Sequence, residues 1–67
     1  MANRFENKVR ILDLIREMGK VSRPVLSETL RINLPTISNL TKELIDVRLI
    51  TGDGFEKEDL QFLAVLG

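Results

Sequence analysis

The sequence predicts a mainly α fold, three helices followed by a two-stranded hairpin, in a single domain over residues 1–67. Apolar residues recur at spacings of three and four through three successive stretches up to residue 47, the stripe of amphipathic helices. Pro24 and Pro35 each follow closely on a residue suited to capping a helix, Ser22 and Asn33. Proline belongs in a first turn because its missing N–H has no helical partner there. Beyond residue 48 the periodicity gives way to two short apolar runs around a Gly-Asp-Gly turn, the mark of a hairpin.

The first helix is expected over 5–18, where Phe5, Val9, Leu12, Ile15 and Met18 form a stripe that Ile11 and Leu14 widen. Asn3 or Asn7 caps its start and Gly19 stops it, with Lys20 near the negative end of the helix dipole. The second helix, over 23–31, has Val25, Leu26 and Leu30 as its buried set, and Val21 before it is suited to a one-residue β-bridge. Arg31, Ile32 and Asn33 break the pattern, and Asn33 caps a third helix over 34–47. At about 100° per residue, Ile37, Leu40, Thr41 and Leu44 share one face of it with Ile45 at the margin, while Pro35, Ser38, Asn39, Lys42 and Asp46 fall opposite. Strands are expected near 49–52 and 60–65; the segment 55–59 makes their connection too long for a two-residue hairpin. Helix, helix, helix, strand, strand is the order of a winged helix-turn-helix domain. No repeat, linker or low-complexity segment interrupts it.

A domain of 67 residues is marginal without a staple or a partner. It has no cysteine for disulfides and no histidine for zinc or for proton transfer near neutral pH, which leaves self-association as the expected help. No apolar run approaches the roughly 20 residues that span a bilayer, and the charged N-terminal region has no signal-peptide core, so the expected location is cytoplasmic with no membrane partner. Ten Lys and Arg balance ten Asp and Glu overall, but residues 1–52 carry nine basic against six acidic side chains, a net +3. Residues 53–67 carry Lys57 against Asp53, Glu56, Glu58 and Asp59, a net −3. A basic body agrees with a phosphate-binding surface and an acidic wing does not.

Ile11-Leu12 and Ile15-Arg16 on the first helix, Val21-Ser22-Arg23 at the second, Pro35-Thr36-Ile37-Ser38 opening the third and Lys42-Glu43-Leu44-Ile45 leading to Leu49-Ile50 form a run. That run resembles the N-terminal DNA-binding domain of ROK-family repressors and, more loosely, that of MarR-type regulators. The resemblance implies a recognition helix in the major groove with Thr36, Ser38, Asn39 and Lys42 facing DNA. Arg31 and Arg48 stand where relatives usually carry glycine, and a positive-φ turn position burdens arginine with a steric cost that glycine avoids. The Gly-Arg-Arg-Pro type of wing sequence has no counterpart, and the sugar-sensing domain of ROK proteins lies outside the match, so no inducer or kinase activity is implied.

Asn39 has the side chain to make two hydrogen bonds to adenine, worth about 1–3 kcal/mol of discrimination; its bland alternative is a solvated polar residue. Lys42 suits a phosphate, the alternative being an ion pair with Asp46 at i+4. Thr36 and Ser38 reach phosphate or base edges or simply satisfy backbone groups near a helix start, and Pro35 completes the outward set. Ser22 and Arg23 at the second helix suit a phosphate through the helix N-terminus and the guanidinium, or Ser22 merely caps. Glu43 and Asp46 on the third helix's flanks would repel a phosphate backbone. For catalysis the sequence offers no His, no Cys and no phosphate-cradling glycine loop, so no catalytic residue, cofactor or metal ligand is expected.

The expected function is sequence-specific binding of double-stranded DNA by a transcriptional regulator acting as a repressor. The alternative is a winged helix module that antagonises or assembles with another regulatory protein. A homodimer is expected because the strand 60–65 is apolar on both faces: either Leu60, Phe62 and Ala64 or Leu63 and Val65 are left wet by a single sheet.

Overall fold

The computed structural model describes residues 3–52 and 61–66. Helix α1 (Arg4–Met18) starts on Asn3, whose side-chain oxygen accepts the Glu6 N–H at 2.8 Å. It ends on Gly19 at φ 86°, a left-handed position natural to glycine, with the Gly19 N–H donated to the Ile15 carbonyl at 2.8 Å. Strand β1 (Val21–Ser22) leads directly into α2 (Arg23–Leu30), and α3 (Leu34–Asp46) follows after three residues. Asn33 caps α3 by accepting the Thr36 N–H at 2.9 Å. Strands β2 (Ile50–Gly52) and β3 (Phe62–Val65) complete the order. The expected helices are present, α2 and α3 each one residue shorter because Arg31 and Val47 take the terminal cap positions.

The sheet departs from expectation, being three-stranded rather than a two-stranded hairpin. All pairs are antiparallel in the order β1-β3-β2. β3 lies in the middle: Val21 and Ser22 pair with Leu63 and Phe62 on one side, and Ile50, Thr51 and Gly52 with Val65, Ala64 and Leu63 on the other. The physical reason is that a second strand leaves the far edge of β3 with open N–H and C=O groups, and the extended backbone of Ser22, at the α2 N-cap, lies along it. Beyond the strands, the Leu66 N–H reaches the Leu49 carbonyl at 3.1 Å. Leu60 and the loop 53–59 lie outside the described residues.

Every element places at least one side chain in the core: Ile11 and Ile15 from α1, Val21 from β1, Leu26 from α2, Ile37, Leu40 and Leu44 from α3, Ile50 from β2 and Leu63 from β3. Leu63 is fully buried and Val65 packs against the core, whereas Phe62 and Leu66 are exposed. This settles the register of β3, so Leu63 and Val65 are not an outward surface. Arg31 at φ 58° and Arg48 at φ 61° occupy left-handed positions closing α2 and following α3, the two places where the resemblance expects glycine. Among the described residues no helix is long and apolar enough to cross a membrane.

Candidate nucleic-acid interface

The three residues between α2 and α3 are held tightly. Both the Arg31 and the Ile32 N–H groups go to the Ser27 carbonyl, and the Ser27 hydroxyl donates to the Ile32 carbonyl at 2.5 Å. Arg10 of α1 donates to the Leu30 carbonyl at 3.0 Å, covering an otherwise orphaned acceptor with a cation where the α2 dipole is negative. These contacts fix the direction in which α3 leaves the turn.

Helix α3 then divides cleanly. Ile37, Leu40, Thr41 and Leu44 are buried; Pro35, Asn39, Lys42 and Asp46 are exposed; Thr36 and Ser38 are half-buried at the margin. The expected outward set of Pro35, Thr36, Ser38, Asn39 and Lys42 is therefore on one side of one helix. Buried Thr41 loses no hydrogen bond, since its hydroxyl lies 2.8 Å from the Ile37 carbonyl and also accepts from Arg23.

The second helix contributes differently from expectation. Ser22 is half-buried at the N-cap of α2 and its side chain makes no capping hydrogen bond. Arg23, expected at a phosphate, is instead only 2% exposed, its Nε donating to Thr41 Oγ1 at 3.0 Å and its Nη1 to Gln61 Oε1 at 2.5 Å. A guanidinium turned inward onto a hydroxyl and an amide is not presented to an external phosphate.

Two basic residues without a motif also bear on this surface. Arg4 and Lys8 of α1 both pair with Glu43 of α3, Lys8 at 2.8 Å. Exposed pairs of this kind add little stability, but they offset the negative charge that Glu43 would otherwise place on the flank of α3. Nothing in the sequence flags them, because Arg4 and Glu43 stand 39 residues apart. Among the described residues no cluster of His, Cys, Asp or Glu suits a metal ion, and no pocket opens. No protein-family model, curated protein or solved structure matches the chain.

Proposed function

We propose that the chain is a winged helix-turn-helix domain, of the kind found at the N-terminus of ROK-family repressors. It binds double-stranded DNA by laying α3 in the major groove and represses transcription by occupying its site. The observation that carries this reading is the outward side of α3: Pro35, Asn39 and Lys42 are exposed on a helix whose opposite side is core. Asn39 suits a base edge and Lys42 a phosphate. Pairing Glu43 with Arg4 and Lys8 removes one repulsion from that surface. On this reading the protein works in the cytoplasm as a homodimer, two copies of α3 spaced about 34–36 Å apart to read two half-sites.

The exposed apolar side chains Val47, Leu49 and Leu66 favour a second reading, a module that docks another regulatory protein. Salt separates the two. Anisotropy titrations on labelled duplex should show binding that falls steeply between about 50 and 200 mM salt, because counterions released from phosphates drive it. No binding to duplex at the low end of that range would overturn the DNA reading and leave the apolar surface to a protein.

A further inference from the structure

Arg23 and Thr41 are the buried polar or charged residues among those described, and they touch each other. A long charged side chain is almost never fully buried unless its donors are met. Here the guanidinium extends from the first residue of α2 to two other elements. Its Nε reaches Thr41 Oγ1 in the middle of α3 at 3.0 Å. Its Nη1 reaches Gln61 Oε1, immediately before β3, at 2.5 Å. Gln61 in turn lies across Gly52 of β2, where an added Cβ would overlap the Gln61 amide. Glycine at 52 therefore leaves room for the amide that Arg23 holds.

We propose that Arg23 is a positioning residue that sets the rotation of α3 against the sheet, and thereby the aim of Asn39, without touching DNA itself. The proposal rests on the reading of α3 as the DNA-reading helix. Thr41 lies two residues after Asn39 and one before Lys42, so a change at Thr41 is transmitted rigidly to both. A helix with its side chains is about 10–12 Å across, so a turn of roughly 15° about its axis moves a side-chain tip by about 1.5 Å. A bidentate contact to a base does not survive that displacement, whereas a flexible lysine on a phosphate follows it. Loss of the Arg23 contacts thus weakens base reading and spares general attraction to DNA.

Truncating Arg23 itself opens a cavity and removes its contacts to Thr41 and Gln61 together, so the informative substitution is at half-buried Gln61. Gln61→Leu removes the acceptor, and Gln61→Glu keeps an acceptor and adds a charge. The probe is the duplex that the unmodified protein enriches from a randomised library, compared with random duplex. A hydrogen bond to a charged group suggests about tenfold weaker binding of Gln61→Leu to the enriched duplex. On random duplex the change should stay within about twofold, and Gln61→Glu should recover most of the loss. In an Asn39→Ala background the tenfold effect should nearly vanish, because the two act through one contact. Equal loss on both duplexes, or an undiminished loss in the Asn39→Ala background, overturns the proposal.

Amide spectra of the free protein decide it without DNA. Gln61→Leu should move the resonances of Ser38, Asn39 and Lys42, and Gln61→Glu should return them. Changes confined to α2 and β3 would overturn the proposal even if DNA binding is intact. Enrichment of no duplex by the unmodified protein sinks the DNA reading instead, and the spectra alone then support or refute the positioning.

Discussion

Leu63→Ala should destabilise the protein far more than Leu66→Ala, although the two leucines stand three residues apart in one apolar run. Leu63 is fully buried at the centre of the sheet, pairing with Val21 on one side and Gly52 on the other, while Leu66 is 46% exposed. Removing a fully buried leucine side chain costs about 2–5 kcal/mol, the transfer term plus the cavity left behind. At Leu66 the half already in water contributes nothing, and the cost should stay below about 1 kcal/mol. A domain this small has a total stability of about 3–10 kcal/mol, so Leu63→Ala removes a large share of it. At about 4–8 °C per kcal/mol for this size, the midpoint should fall by roughly 8–40 °C. Thermal melts followed by far-UV circular dichroism, repeated over a range of protein concentrations, measure both variants. A larger loss at Leu66, or equal losses, would mean that β3 is slipped by one residue, since such a slip exchanges its two faces. The same register makes Leu66→Asp, and not Leu63→Asp, the substitution that should dissociate a homodimer in light scattering without unfolding the subunit.

Asn39→Ala should weaken binding to the enriched duplex by about 1–3 kcal/mol and relax base preference, whereas Lys42→Ala should weaken all duplexes alike and reduce the salt slope by about one; equal loss on specific and random DNA for Asn39→Ala would show that it reads no base. Arg31→Gly should stabilise the protein by up to about 1 kcal/mol in urea titrations, because the left-handed strain relieved exceeds the entropy that glycine loses on folding; destabilisation would reveal a contact of the Arg31 side chain that outweighs its backbone cost. Asn7→Leu should raise the melting midpoint, since Asn7 Oδ1 is buried without a hydrogen-bond partner and an apolar side chain of similar size removes about 1 kcal/mol or more of desolvation cost; a lower midpoint would show that leucine does not fit the site.

The helices were legible because their signals are local. Asn3, Asn33 and Gly19 stand within one turn of the groups they bond, and the 3.6-residue periodicity of α3 separates its buried from its exposed side chains residue by residue. The sheet was legible only in part. Phe62 to Leu66 is apolar throughout, so alternation carries no phase, and the inward set emerges only once β3 packs on the helices. For β1 the sequence suggests no more than a single bridge at Val21, because pairing Ser22 with Phe62 depends on contacts across forty positions of chain. Arg23 misled for the same reason. An arginine at a helix start beside Ser22 reads as a phosphate ligand, and its burial is decided by Thr41 and Gln61, 18 and 38 residues away.

The ion pairs at Glu43 have a practical corollary for how this protein is produced. Exposed pairs are worth about 0–1 kcal/mol, so replacing Arg4 and Lys8 with glutamine, or fusing an acidic tag that competes for both, should leave the melting curve almost unchanged. Glu43 would then stand uncompensated on α3. At a separation of about 8 Å in water one unit charge acts on another with about 0.5 kcal/mol, and with more as salt is lowered. A sample altered in this way would look well folded yet grip a polyanion less firmly, because Arg4 and Lys8 behave as counter-ions that the chain supplies to itself.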